Sequence, residues 1–305
     1  RGKAMVNILP LAAGEKISTV MPLPADPESW ERMTVVFATS HGDVRRNALT
    51  EFTSIKVNGK IAMKLADDGN ERLIGVQPAS DDQDVLLATR LGKCIRFSLE
   101  DVRVFASRNS TGVRGIRLAD GDEVISLSML RHVDSTVEER AAYLRHAALL
   151  RRGSDGAVEA VSDDPETKAV AQVALSEQRI VELSAAEEFL LTVSENGFGK
   201  RSSAYEYRIT GRGGSGIANM ELTDKTGPVV ETFQVGPTDQ IMLVTDRGQL
   251  IRTSVDDIRI AGRKTQGVTL FRVDTGERVV SVSHLPANGD ENGGDESGEP
   301  APDAG

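Results

Sequence analysis

Basic side chains recur at short distances after glycines in this chain, and these residue types suit contact with phosphate groups. Arg45 and Arg46 follow Gly42, and Arg252 follows Gly248 at a similar distance. Lysine and arginine bind phosphates by charge, and glycine lets the main chain approach a ligand closely. The alternative interpretation is that these bases are solvated charges on strand edges, where they discourage aggregation.

Two classes of base are candidates for contact with a nucleic-acid backbone. The first class follows a turn glycine and comprises Arg45, Arg46, Lys93, Arg96, Lys200, Arg201 and Arg252. The second class lies in or near glycine-containing loops and comprises Lys56, Lys60, Arg103, Arg108, Arg114, Arg208, Arg212, Arg259, Arg263 and Lys264. If the units that carry them radiate from one axis, equivalent positions fall on one circular track, along which a curved duplex can lie.

An internal repeat positions these bases. An apolar run, a polar turn, a glycine and then an apolar residue with a base occur four times, with turn glycines at Gly42, Gly92, Gly197 and Gly248. The spacings are 50, 105 and 51 residues, so the middle gap holds one repeat and an insertion of 55 residues. Four-stranded units of about 50 residues are typical of propeller blades.

Each repeat predicts four strands. The first is an unbroken apolar run, as expected of a strand buried on both faces, and the third alternates after a glycine loop, as in residues 116–118. One blade cannot bury both of its faces, so neighbouring blades must stack. Residues 1–20 match only the second half of a repeat, so we expect the chain to open in mid-repeat. The prediction is an all-β, propeller-like domain over residues 1–285, with about four and a half blades.

Two segments depart from the repeat. Residues 131–188 predict a helical insertion, with a capping-box pattern from Ser135 to Glu138, a stop at Gly153, and a second helix opening at Asp164 and Pro165 toward Leu183. Residues 286–305 are rich in Gly, Asp, Glu, Asn and Pro, which predicts a disordered acidic tail. The tail either serves solubility or competes with DNA for the basic track.

The charge distribution matters more than the net charge of −10. The tail contributes −6, the insertion −5 and the rest of the chain +1. The repeats are therefore nearly neutral, and their charges are sorted into recurring positions. No apolar run approaches the length needed to span a bilayer, and the start of the chain has no signal-peptide pattern. These features predict a cytoplasmic protein without membrane contact.

Other chemistry is poorly supported by the sequence. The four histidines, His41, His132, His146 and His284, show no ligand spacing, and the single cysteine, Cys94, alternates with apolar neighbours and is expected in the core. Residues 211–216 fit G-x-G-x-x-G, but a strand rather than a helix is predicted to follow, which disfavours a dinucleotide site. Neither a catalytic triad nor a P-loop is present.

The repeats resemble the C-terminal domains of bacterial DNA gyrase A subunits. Residues 240–253 with 262–268 resemble the last blade of that family, and residues 109–118 and 196–202 resemble other blades. The resemblance covers nearly the whole chain apart from the insertion and the tail. It implies a β-pinwheel of six four-stranded blades, truncated here at its N-terminal blades, with DNA wrapped around a basic perimeter. The family's signature loop, Gln-Arg-Arg-Gly-Gly-Lys-Gly, is absent, and Thr210–Gly216 is the nearest string.

The same resemblance implies partners. These are double-stranded DNA, the N-terminal core of the gyrase A subunit, and the gyrase B subunit in an A2B2 holoenzyme. The resemblance places the cleaving tyrosine in an upstream domain, and it places ATP and Mg²⁺ elsewhere in the holoenzyme, so this domain itself is expected to need no cofactor. The paralogous subunit of topoisomerase IV is the close alternative, and a propeller scaffold for a protein partner is the rival of another class.

Overall fold

The protein is built mainly from short antiparallel strands. The computed structural model describes residues 17, 19–21, 23–53, 61–66, 69–155 and 173–287, without the side chains of 152–155. In these ranges all strand pairs are antiparallel, and two α-helices lie between the second and third repeats. The prediction of an all-β domain with a helical insertion is confirmed. No helix in the described ranges is long and apolar enough to cross a membrane.

Each repeat supplies a hairpin of two strands and a longer closing strand, and the later repeats add a two-residue strand between them. The first repeat contains β1 (Thr34–Thr39), β2 (Asp43–Ala48) and β3 (Leu73–Ala79). The second contains β4 (Gln83–Thr89), β5 (Lys93–Ser98), β6 (Val113–Arg114) and β7 (Val124–Arg131). The third contains β8 (Phe189–Ser194), β9 (Phe198–Ser203), β10 (Ile217–Ala218) and β11 (Val229–Val235). The fourth contains β12 (Gln240–Thr245), β13 (Leu250–Ser254), β14 (Val268–Thr269) and β15 (Val279–Leu285).

The two-residue strands are exchanged between neighbouring repeats. Blade A has the order β3-β1-β2-β6, blade B β7-β4-β5-β10, blade C β11-β8-β9-β14, and blade D β15-β12-β13. Thus β6 of the second repeat completes blade A, β10 of the third completes blade B, and β14 of the fourth completes blade C. The prediction of four-stranded blades is confirmed for blades A, B and C, but each of these blades takes its fourth strand from the repeat that follows. The expected alternating strand over 116–118 was wrong, because the ladder is confined to Val113 and Arg114.

Glycine is required where each exchanged strand meets the preceding blade. Gly112 and Gly216 have φ angles of +98° and +69°, which L side chains rarely adopt. A Cβ at Gly112 would lie 2.5 Å from the carbonyl oxygen of Val44, and one at Gly216 would lie 2.3 Å from that of Cys94. The glycines of these loops therefore serve the strand exchange directly.

The hydrophobic core lies between adjacent blades. One cluster joins Val36 of blade A to Leu87 of blade B, and another joins Leu86 of blade B to Leu190 of blade C. A third cluster extends from blade C into blade D. This arrangement confirms that neighbouring blades bury each other's faces, and it explains why the first strand of each hairpin is an unbroken apolar run.

Blade D has an open edge in the described part of the chain. It has three strands, and β13 has a free side where the other blades hold an exchanged strand. Leu250 on this edge is 60% exposed. A Cβ at Gly248 would meet nothing within 4 Å, whereas one at the equivalent Gly92 would lie 2.8 Å from the carbonyl oxygen of Met220. The predicted half-blade at the start of the chain lies largely outside the described residues.

In its described residues, the insertion contains α1 (Val137–Asp155) and α2 (Glu177–Ala186). The capping box is Thr136 with Glu139, one residue later than predicted, because the backbone N–H of each donates to the other's side chain. The helix that contains Leu183 begins at Glu177 with Ser176 as its N-cap, so the predicted opening at Asp164, which lies outside the described residues, was wrong for this helix. Helix α1 continues past Gly153. The tail beyond 287 is also outside the described residues.

Candidate nucleic-acid interface

The predicted bases fall into three groups. Six are buried in the fold: Arg45, Arg46, Arg96, Lys200, Arg201 and Arg263. Nine are exposed or half-buried: Lys93, Arg103, Arg108, Arg114, Arg208, Arg212, Arg252, Arg259 and Lys264. Lys56 and Lys60 lie outside the described residues. Burial decides which of these side chains can reach a phosphate.

The arginine that follows the turn glycine by four residues links one blade to the next. The Nε of Arg96 donates to Asp84 at 2.8 Å, and its Nη1 donates to the carbonyl oxygen of Ala204 in the next repeat at 2.8 Å. Arg46 and Arg201 make the corresponding contacts to backbone carbonyls of the repeats that follow them. Burial lowers the pKa of Arg201. The prediction that these three arginines contact DNA is corrected, because protein acceptors hold their guanidinium groups inside the fold.

Two other buried bases donate hydrogen bonds to backbone carbonyls of the glycine loops. Arg45 donates from Nη1 to the carbonyl oxygens of Arg108 and Ser110, at 2.7 and 2.6 Å. Lys200 donates from Nζ to the carbonyl oxygen of Gly262 at 2.8 Å, and also to that of Arg263. Both side chains are fully buried, so they position a loop rather than bind a phosphate.

Arg263 is the sixth buried base, and it is held by a carboxylate that the sequence did not single out. Its backbone N–H donates to Glu206 Oε2 at 2.6 Å, and its Nε donates to the Glu206 carbonyl at 3.0 Å. Burial raises the pKa of Glu206. The only feature of the sequence that marks Glu206 is its place in the short turn after β9. That position alone does not predict a carboxylate that holds Arg263.

Four exposed arginines come together where the glycine loops of blades A and B meet. Arg212 donates from Nε to the carbonyl oxygen of Asp101 at 3.0 Å and from Nη1 to that of Arg114 at 3.1 Å. Arg117 donates from Nη2 to Ser215 Oγ at 3.1 Å. Arg103 stacks over the Phe105 ring, with 4.4 Å between the guanidinium carbon and the ring centroid. We call Arg103, Arg114, Arg117 and Arg212 the A/B rim cluster.

The A/B rim cluster can present several positive charges to one stretch of phosphates. All four side chains are exposed, and their hydrogen bonds to protein go to neutral acceptors, which leave the positive charges of Arg117 and Arg212 in place. Asp43 is the cross-strand neighbour of Arg114 and is the nearest opposing carboxyl by register. Sequence reasoning did not select Arg117, although its place two residues after Gly115 was a usable signal.

The remaining surface bases are more dispersed. Lys93 is exposed opposite Ala218, and Arg252 is exposed on the open edge of blade D. Arg108 lies 3.7 Å from Glu51. Arg259 and Lys264 are half-buried in the last repeat. These five residues follow the outer parts of the repeats but do not form one cluster with the A/B rim. Arg208, the sixth, is half-buried just before the loop over residues 210–216.

The family model described as "DNA gyrase C-terminal domain, beta-propeller" matches residues 34–80, 83–131, 188–235 and 239–285. These four stretches coincide with the four repeats and cover more than half of the chain. The chain belongs to the DNA gyrase C-terminal domain family. The predicted resemblance is thereby confirmed.

Curated relatives agree with this membership. The chain is 53% identical over 291 residues to the DNA gyrase A subunit of Granulibacter bethesdensis, a match that covers 92% of this chain and 31% of the relative. It is 48% identical to the corresponding protein of Rickettsia bellii over 96% of this chain, and 35% identical to that of Escherichia coli over 95% of it. The chain thus spans about 31% of the length of the first of these relatives. These relatives do not favour the topoisomerase IV alternative.

Solved structures support the fold. A structure of a DNA gyrase A C-terminal domain superposes with a TM-score of 0.64 at 21% identity, covering 93% of this chain and 75% of the other. A C-terminal domain of DNA topoisomerase IV gives 0.67 at 18% identity, covering 94% of this chain and 71% of the other. At these identities the likeness concerns the fold alone, and it supports the β-pinwheel architecture.

The single thiol and two of the four histidines have structural contacts in the described part of the chain. Cys94 is fully buried, and burial raises the pKa of its thiol to about 12. His132 and His284 each contact a carboxylate, Asp84 and Asp239 respectively. Among the described residues, no three His, Cys, Asp or Glu side chains are grouped to hold a metal ion. The G-x-G-x-x-G string at 211–216 leads into strand β10, as predicted, rather than into a helix.

Proposed function

We propose that this gyrase C-terminal domain binds and bends double-stranded DNA and makes or breaks no covalent bond itself. The observation that carries the proposal is the A/B rim cluster, in which two consecutive repeats bring four exposed arginines to one surface. Arginine binds phosphate oxygens through a planar fork of donors. The cluster is therefore suited to the phosphate oxygens along the backbone of a duplex.

Bending the duplex requires several distributed contacts. Bending 20–30 base pairs through 40–90° costs on the order of 1–6 kcal/mol. One contact cannot offset that cost, but a row of phosphate contacts along successive blades can. The candidates for that row are the A/B rim cluster and the other exposed or half-buried bases, namely Lys93, Arg108, Arg252, Arg259 and Lys264. We expect strong dependence on salt and weak dependence on base sequence.

The domain would act within a larger enzyme. It would present its DNA to the N-terminal core of the gyrase A subunit, together with the gyrase B subunit, in an A2B2 assembly in the bacterial cytoplasm at the nucleoid. ATP and Mg²⁺ would serve other parts of that assembly, and this domain would require no cofactor of its own. Its division into a domain of residues 1–285 and an acidic tail of 286–305 remains a prediction.

A second candidate function belongs to the helical insertion. Leu149, Leu150 and Val181 are 64%, 67% and 66% exposed on its helices. Exposed apolar side chains in one region favour contact with a protein partner. The contact would be local to the insertion and compatible with DNA binding by the blades.

The test is a titration of a labelled duplex of about 150 base pairs with this protein at several salt concentrations. Eight phosphate contacts would give a slope of about −7 in the plot of log affinity against log salt concentration. A steep negative slope and equal affinity for unrelated sequences would support the proposal. Undetectable binding at the lowest salt concentration would refute it for this chain.

A further inference from the structure

The glycine loop of blade B lacks the buried base that holds the loops of blades A and C. In blade A the buried Arg45 binds loop carbonyls from below, and in blade C the buried Lys200 does so. The same position of blade B, three residues after the turn glycine, is Ile95. Isoleucine cannot donate a hydrogen bond, so the side chain at this position does not bind the backbone carbonyls of the blade B loop.

A cavity of about 320 Å³ lies under this loop instead. Its lining includes Ile95, Arg208, Gly211, Gly214 and Ser215. Arg96 also lines it, and no carboxylate does. Ile95 makes one side of the lining apolar, and Arg208 supplies the positive charge, since the guanidinium of Arg96 is already paired with Asp84. This environment favours an anion of small size.

Three residues of the cavity lining have backbone donors without a protein acceptor among the described residues. In the described part of the chain, the backbone N–H groups of Gly211, Gly214 and Ser215 donate to no protein acceptor. The Gly214 carbonyl accepts from the Arg117 backbone N–H at 2.8 Å, which joins the loop to the A/B rim cluster. Successive backbone N–H groups beside arginines form the kind of concavity that binds phosphate oxygens.

We propose that the loop over residues 210–216 binds one phosphate of the DNA backbone in this cavity. The identity of the ligand rests on the proposed function. The proposal gives blade B a phosphate-binding site that blades A and C lack. In those blades a buried base of the protein already occupies the corresponding place. The bound phosphate would fix the duplex at the A/B rim and leave the neighbouring contacts free to follow its curvature.

The first test uses inorganic phosphate and the whole 305-residue protein. The amide signals of Gly211, Gly214 and Ser215 would be followed by NMR during a phosphate titration, and saturable shifts confined to this loop are expected. Shifts that are absent, or that are spread equally over exposed bases, would overturn the proposal.

The second test uses two variants that act in different ways. Arg208→Gln removes a charge from the cavity, and Arg272→Gln removes one from an exposed position of the last repeat as the matched control. Gly214→Ala keeps the charge and places a Cβ 3.7 Å from Ile95 Cδ1, an ordinary contact distance that leaves the fold unstrained. Both cavity variants should weaken phosphate binding and lower duplex affinity by roughly tenfold, the size of one charge-assisted contact.

The outcomes separate this proposal from the proposed function. One outcome is that the cavity variants bind duplex as tightly as the wild type while the wild type shows a steep salt slope. That result would support DNA binding by the domain and refute the phosphate-binding site in the cavity. If phosphate shifts the NMR signals of the loop but no duplex binds at any salt concentration, the cavity binds an anion other than DNA. In that case both the proposed function and the DNA part of this inference fail.

Discussion

Arg96 and Asp84 form an ion pair at 2.8 Å in which both side chains are almost completely buried. The same arginine reaches the carbonyl oxygen of Ala204 in the next repeat, so the pair joins blade B to blade C. The guanidinium group in this position therefore stabilises the contact between two blades. Its recurrence at Arg46 and Arg201 shows that a repeated base need not be a repeated ligand contact.

We predict that Arg96→Met destabilises the protein by about 3–5 kcal/mol, because it removes the buried cation that balances Asp84 and leaves that carboxylate, among the described residues, with His132 as its side-chain partner. The matched control is Arg252→Met, at the equivalent but exposed position of blade D, which should change stability by no more than about 0.5 kcal/mol. Urea unfolding followed by circular dichroism measures both. Equal effects of the two substitutions would contradict the linking role of Arg96.

A second prediction concerns the strand exchange. Gly216→Ala should destabilise the protein by about 2–4 kcal/mol, because the residue has a positive φ and its Cβ would overlap the Cys94 carbonyl oxygen. Gly211→Ala should stay within about 1 kcal/mol of the wild type, since a Cβ there meets nothing within 4 Å. Thermal unfolding of the two variants gives the comparison, and a tolerant Gly216 would argue against a tightly docked loop.

The third prediction addresses DNA binding by the A/B rim cluster. Replacing Arg103, Arg114 and Arg212 together by glutamine should reduce the magnitude of the salt slope by about 2.7 and weaken duplex binding by at least tenfold at about 0.1 M salt. The control replaces Arg72, Arg247 and Arg278, exposed arginines near the hairpin turns, by glutamine and alters net charge equally. Fluorescence anisotropy measures both. Equal losses would show that only total charge matters.

The fourth prediction is a pH dependence of stability. Burial raises the pKa of Glu231 from 4.5 to about 8, so the folded state favours the protonated side chain. Its contribution to stability is complete below pH 4.5, declines as the pH rises and is lost above about 8. Glu231→Gln should therefore stabilise the protein at pH 9 relative to the wild type and flatten this decline. Urea unfolding at pH 5, 7 and 9 tests it, and an unchanged profile would place the carboxylate in contact with water.

The fifth prediction concerns the acidic tail. If residues 286–305 compete with DNA for the exposed bases, deleting them should tighten duplex binding at low salt and have little effect at high salt, where charges are screened. Anisotropy titrations of the full and shortened proteins at two salt concentrations provide the test. Identical affinities at low salt would leave the tail with a solubilising role.

Much of the architecture follows from local sequence patterns. The apolar runs, the turn glycines and their spacing identified the hairpins and the number of complete repeats, because a strand buried on both faces and a tight turn have local requirements. The capping pattern likewise indicated a helix near Val137, with an error of one residue. The start of the helix that contains Leu183 was misplaced, because it was assigned to Asp164 and Pro165, which lie outside the described residues, whereas Ser176 is its N-cap.

The candidate interface could be predicted only in part. The sequence alone determined that bases recur beside glycines in a repeat of about 50 residues, and it determined the family resemblance. The tertiary structure decided which bases reach the surface. Arg45 and Arg114 look alike in the sequence, yet Arg45 is buried beneath a loop of the next repeat and Arg114 is exposed. The physical reason is the strand exchange, since the burial of a side chain in one repeat depends on a loop about 65 residues further along the chain.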